Sequence, residues 1–129
     1  MLFMNIIKTG LQEASKSNIY PRIGAVVFKG KKIYGFGHNE IRSSSISMKY
    51  KYWKESLHAE QSALLKLDWK KLKGCSIFVC RSSKTGQLGN ARPCEMCQKI
   101  IDYVGIKDVY YTNENGEIVL EKTKNMIKK

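Results

Sequence analysis

The sequence predicts a single α/β domain in which a mixed sheet lies between helices, and three observations carry that expectation. Residues 22–29 (RIGAVVFK) form a nearly continuous apolar run, the pattern of a strand covered on both faces. Helix-period and strand-like segments alternate along the chain, and no repeat, linker or composition break divides residues 1–129.

The elements follow in order. Residues 3–16 carry Phe3, Ile6, Ile7, Leu11 and Ala14 at helical spacing, which predicts an amphipathic helix ended by Ser17-Asn18 and the approach to Pro21. The apolar strand 22–29 turns at Lys29-Gly30-Lys31 into a second strand at 33–36, making a hairpin. Gly35 and Gly37 are expected to permit a sharp exit. Residues 58–67 predict a second helix with Ala63, Leu64 and Leu67 inward, and CSIFVC (75–80) a third strand. The irregular stretch 81–92 then leaves the end of a central strand, where open α/β sheets place their ligands. A third helix is expected over 93–104 with Gly105 as its stop, followed by a strand at 107–112. Asn113-Glu114-Asn115-Gly116 is a turn, and a connection this short makes 117–120 the antiparallel partner of the preceding strand. The end from residue 121 reads as a short helix or a frayed tail.

With 43% hydrophobic and 26% charged residues, the composition is that of a soluble globular domain. The first helix is too short and too polar to span a membrane and lacks the pattern of a secretory leader, so a cytoplasmic location is expected. Four cysteines do not demand a disulfide scaffold, and Cys75 and Cys80 read as buried, reduced core residues. The net charge of +12 fits either a functional basic surface or a Lys-, Ile-, Asn- and Tyr-rich composition spread over the whole chain. The segment 49–54 (KYKYWK) interleaves cations with aromatics, as single-stranded nucleic-acid binders do, yet Tyr50, Trp53 and Leu57 also sit at helical spacing, and packing on the body of the domain is the favoured reading.

The chemistry concentrates in His58-Ala59-Glu60 and Pro93-Cys94-Glu95-Met96-Cys97. One His and two Cys are a good Zn²⁺ ligand set, and three protein ligands leave a position for water. Glu60 is placed to move a proton without ligating the metal. Pro93 suits the first turn of a helix, which would put both thiols near a helix N-terminus where the ionised sulfur is favoured.

H-x-E followed by P-C-x-x-C is the signature of zinc nucleobase deaminases. On these motifs the chain resembles the cytidine and deoxycytidylate deaminase superfamily from about Ile23 to Tyr111. The resemblance implies a three-layer deaminase-like fold of about five mixed strands with helices on both faces. It implies Zn²⁺ held by His58, Cys94 and Cys97, with Glu60 shuttling the proton in hydrolytic deamination. It further implies that Asn39 holds the base or sugar, where the bland alternative is a turn residue, and that Ala59 N–H and Arg92 C=O meet the base. Arg92 departs from the usual Ser, Thr or Glu, and its side chain is expected as a phosphate contact at the rim. His38 is read as structural.

Substrate clues conflict. A His as first ligand resembles deoxycytidylate, tRNA-adenosine and polynucleotide deaminases, whereas the hairpin into the last strand resembles the free-cytidine type. The expectation is a small pyrimidine substrate, cytidine, deoxycytidine or dCMP, with a polynucleotide substrate as the runner-up and a noncatalytic zinc module closed by a fourth ligand as a third reading. A homo-oligomer is expected from size and family.

Overall fold

The computed structural model describes residues 3–41 and 56–127. Lys49, Lys51, Lys54, Tyr50 and Trp53, the basic aromatic segment, lie outside the described residues. Helix α1 (Met4–Ser15) leads into strands β1 (Arg22–Lys29) and β2 (Lys32–His38). Short strands β3 (Glu40–Ile41) and β4 (Ser56–Leu57) pair with each other, and helix α2 (Ala59–Leu65) follows. Strand β5 (Ser76–Ser82), short strand β6 (Leu88–Gly89), helix α3 (Glu95–Val104), strands β7 (Asp108–Thr112) and β8 (Ile118–Lys122), and helix α4 (Thr123–Met126) complete the order.

The main sheet runs β2-β1-β5-β7-β8, with β6 paired to the end of β5. All pairs are antiparallel except β5 and β7, where Ile77 faces Val109 in parallel register and α3 supplies the crossover. The expected count of about five therefore describes the main path. Strand β6, which folds back on the end of β5 as a short hairpin, and the β3–β4 ribbon are additions to it.

Strand alternation divides the core into two layers. Val26 and Phe28 of β1 and Phe78 and Cys80 of β5 point to α1, meeting Ile6 and Ala14. Ala25, Val27, Ile77 and Val79 point the other way, to Ala59, Ala63 and Leu64 of α2 and Ile101 and Val104 of α3. Helices thus cover both faces, as the apolar run required.

Two glycines set how closely helices approach. A Cβ at Gly24 would stand 2.1 Å from the carbonyl oxygen of Gly10 in α1, and one at Gly37 would stand 2.6 Å from the Ala63 nitrogen in α2. Gly37 is therefore a contact point for the helix that carries the site, not a hinge for a sharp exit. Gly105 ends α3 in the left-handed region at φ 91°, and Ile106 N–H bonds back to Ile101 C=O at 3.2 Å. The Tyr20–Pro21 peptide bond is cis. Among the described residues no helix is long and apolar enough to cross a membrane.

Candidate metal centre and active site

Two helix N-termini converge at the ends of β1 and β5. His58 is the N-cap of α2, in extended conformation, and its N–H donates to Gln61 Oε1 at 3.0 Å. Cys94 is the N-cap of α3, and Cys97 is the third residue of that helix. The expected starts of both helices move inward: His58 stands just outside α2, and Pro93 precedes the cap instead of occupying the first turn. Pro93 acts through its carbonyl, which accepts from the buried Gln98 side-chain amide at 2.8 Å.

His58 Nδ1 lies 3.6 Å from Cys94 Sγ and 3.3 Å from Cys97 Sγ. With Zn–S near 2.3 Å and Zn–N near 2.0–2.1 Å, the edge of a tetrahedron between sulfur and nitrogen is about 3.5–3.6 Å. The trio fits zinc in size and in donor type. Burial and the neighbouring Glu60 and Cys94 push the Cys97 thiol well above its ordinary value, a direction that a divalent cation among these donors reverses. Among the described residues, no other cluster of three His, Cys, Asp or Glu side chains could hold a metal.

Glu60, the second residue of α2, is 5% exposed. Burial pushes its carboxyl above the usual range, opposed by its own backbone N–H, by His58 and by a hydrogen bond with Cys97. It shares a cavity of about 420 Å³ with His58, Cys94, Asn39, Val79 and Arg81. Ala59 is the first helical residue, so its N–H is one of the donors that α2 itself leaves unpaired.

Asn39 lines this cavity but is held by backbone: Oδ1 accepts from Ile23 N–H at 2.9 Å and Nδ2 donates to Pro21 C=O at 2.8 Å. It staples the Pro21 wall to the end of β2. The Arg92 side chain, expected as a phosphate contact, instead forks onto Glu121 at 2.8 and 3.2 Å, and Tyr111 O–H donates to the same carboxylate. Arg92 still lines the cavity. His38 Nδ1 sits 3.2 Å from Glu13 Oε1, on the α1 side, which is a structural pairing. Cys80 points to α1 with its thiol pushed up to about 12 by burial, and Cys75 lies before the opposite end of β5; neither joins the zinc trio.

Several residues in or behind the cavity wall escaped the sequence reading. Thr112, 1% exposed, accepts from Arg81 N–H at 3.2 Å, donates to Gly89 C=O at 2.6 Å, and accepts through its carbonyl from Ala91 N–H at 2.8 Å. One threonine thereby ties the loop before Arg92 to the sheet. Asn90 Oδ1 caps Arg92 N–H at 3.1 Å. Tyr20 and Pro21 also line the cavity, and only Arg81, at the outgoing end of a central strand, had a positional signal.

A buried Glu beside a His-Cys-Cys trio, all at helix N-termini over an α/β sheet, defines a zinc-dependent deaminase-type centre. Residues 2–113 match the family model for the cytidine and deoxycytidylate deaminase zinc-binding region. The chain belongs to that family. Among solved structures it is similar to a dCMP deaminase from the cyanophage S-TIM5 in apo form, with 30% identity, a TM-score of 0.63, and 85% of this chain and 81% of that one covered. A cytidine deaminase from Burkholderia pseudomallei shares the fold at TM-score 0.70 and 18% identity, covering 98% and 97% of the two chains. The S-TIM5 enzyme in complex with dCMP and dUMP matches at TM-score 0.55 and 24% identity over 88% and 85%. A search of curated protein sequences finds no match.

Proposed function

We propose that the protein hydrolytically deaminates a pyrimidine nucleoside or nucleotide, cytidine, deoxycytidine or dCMP, to the uracil product and ammonia. The observation that carries this is Glu60, buried in a cavity of about 420 Å³ beside the His58, Cys94 and Cys97 trio. Zn²⁺ at that trio supplies a water ionisable near neutral pH and charge to balance the developing oxyanion.

The chain's own residues do the rest. Glu60 takes the proton of the attacking water as its oxygen bonds to the amino-bearing ring carbon, and delivers it to the ring nitrogen. The carboxylate then takes the second proton from that added oxygen, as it becomes the product carbonyl, and gives it to the amine as the carbon–nitrogen bond breaks, and ammonia leaves. Ala59 N–H donates to the base, and Arg92 C=O accepts from its amino group. Asn39 holds the wall against which the sugar rests, with its remaining amide hydrogen available to the ligand. Val79 forms apolar floor that keeps water from competing.

The antiparallel β7–β8 pair favours the free-cytidine type, and the His ligand and 30% identity to a dCMP deaminase favour the nucleotide type. The net charge of +12 supports a second reading, deamination of single-stranded nucleic acid. Ammonia release from cytidine, deoxycytidine, dCMP, adenosine and oligonucleotides at rising salt decides between them. A polynucleotide substrate would show binding that falls with a slope of about −0.7 per neutralised phosphate. Turnover of small pyrimidines with weak salt dependence is the expected result, and efficient turnover of oligonucleotides alone would reject the proposal.

A further inference from the structure

The active-site cavity does not end at the zinc trio. Tyr20, Pro21 and Arg81 are shared with a second cavity of about 410 Å³, whose other walls are Ser83, Lys84 and Thr85. The two spaces abut along these three residues and form one trough. None of the described residues lining the outer cavity is acidic.

Among the described residues its cations have no counter-charge. Arg81 and Lys84 are exposed, and neither side chain makes an ion pair or hydrogen bond with a described residue. Lys84 Nζ stands 5.0 Å from the centroid of the Tyr20 ring, and the Arg22 guanidinium carbon stands 4.6 Å from the same centroid. Arg22 Nε is buried without a hydrogen-bond partner. Lys84 and Arg22 thus flank one ring, Arg81 lines the same cavity, and among the described residues no carboxylate pairs with any of the three. Like charges that share one cavity wall repel, and a bound anion would offset that repulsion. Glu114 lies across a separate groove from Arg81 and forms no ion pair with it.

The loop that carries Lys84 is held in place. Ser83 N–H donates to Gln87 C=O at 2.9 Å, Gln87 N–H donates to Ser83 Oγ at 3.1 Å, and Gly86 turns at φ 81°. Spacing also fits. Val79 and Arg81 share one face of β5, two residues apart, or about 6.6 Å along the strand. That is the scale of the step from a pyrimidine ring to the 5′-phosphate of its nucleotide.

We propose that Arg81 and Lys84 form a phosphate subsite at the outer end of the active-site trough, so that the substrate is a pyrimidine nucleoside 5′-monophosphate. The assignment rests on the deaminase reading above and narrows it. Arg81 would contact phosphate oxygens by charge-assisted hydrogen bonds, Lys84 would act as a point charge, and the Tyr20 ring would flank the sugar.

The test is equilibrium binding of dUMP and deoxyuridine to the zinc-loaded protein, in wild type, Arg81→Ala, Lys84→Ala and Arg81→Lys. Both side chains are exposed, so the variants retain the fold. Wild type should prefer the monophosphate by at least roughly thirtyfold, and each alanine variant should cut that ratio about tenfold, with Arg81→Lys intermediate. Equal affinity for the two ligands in wild type, a ratio unchanged in both alanine variants, or binding of neither ligand would overturn the subsite. Ammonia release from cytidine and dCMP, run alongside, separates the two claims. Turnover without phosphate preference rejects the subsite alone, whereas an Arg81-dependent preference for dUMP without turnover of dCMP rejects the deaminase reading alone.

Discussion

Cys97 Sγ lies 3.3 Å from His58 Nδ1 although 39 residues separate them in sequence. The approach depends on two helices starting at the same end of the sheet. Gly37 lets α2 settle onto β2, and the parallel β5–β7 crossover returns α3 to the same face. Glu60 is then brought against Cys97 because it is the second residue of the helix that His58 caps.

Zinc retention should follow this geometry and ignore the other thiols. Cys94→Ala and Cys97→Ala should each lose stoichiometric zinc by elemental analysis. Cys80→Ala, on the α1 face, should keep one zinc per chain, at a stability cost of roughly 1 kcal/mol for the lost packing. Zinc loss in Cys80→Ala with the fold intact would contradict the assignment.

Burial raises Glu60, which fixes the sign of a stability effect in the metal-stripped protein. For a carboxyl whose folded pKa exceeds its unfolded value, the folded state holds the proton longer, so stability declines as pH rises past the ordinary carboxylate range. Glu60→Gln removes that penalty. Its melting temperature without metal should exceed wild type near pH 7, and the gap should close below about pH 4. Denaturation monitored by circular dichroism at both pH values checks this.

Glu121 is held below the ordinary carboxylate range, first by the Arg92 hydrogen bond, and its contribution has the opposite sign. Its stabilisation is present above the unfolded pKa and is lost as pH falls through the folded one. Glu121→Gln should free Arg92 and loosen the loop that brings Arg92 to the cavity wall. The expected result is a fall in kcat/KM of roughly three- to tenfold near pH 7 with zinc content unchanged. An unchanged kcat/KM would show that the network does not position the loop.

Much of this was readable from residues alone. The apolar run 22–29 announced a strand covered on both faces, Gly105 announced the end of α3, and the turn at Asn113 to Gly116 announced the β7–β8 hairpin. His58, Cys94 and Cys97 could be grouped because their residue types and spacing match one metal chemistry. The rest depended on partners distant in sequence. Arg92 looked like a free cation until Glu121 arrived from β8, and Asn39 looked like a ligand-facing amide until the Pro21 and Ile23 backbone engaged it. Thr112 carried no local sign that it would tie a loop to the sheet. Gly35 and Gly37 read as residues permitting a sharp exit because sequence does not show which neighbour will press on a strand.

Assembly is expected from exposed apolar side chains. Tyr103 is 74% exposed and Leu65 63%, and β8 presents Ile118 and Leu120 at the sheet edge. We expect a homo-oligomer, and light scattering that gives a monomer at micromolar concentration would reject this.

The most direct test of the central claim is turnover by zinc-loaded Glu60→Gln, measured as ammonia release from cytidine, deoxycytidine and dCMP beside wild type. If Glu60 is the proton shuttle of a pyrimidine deaminase, the variant keeps its fold and one zinc per chain while losing at least roughly a hundredfold in kcat. Wild-type turnover in Glu60→Gln, with zinc and fold intact, would contradict the account.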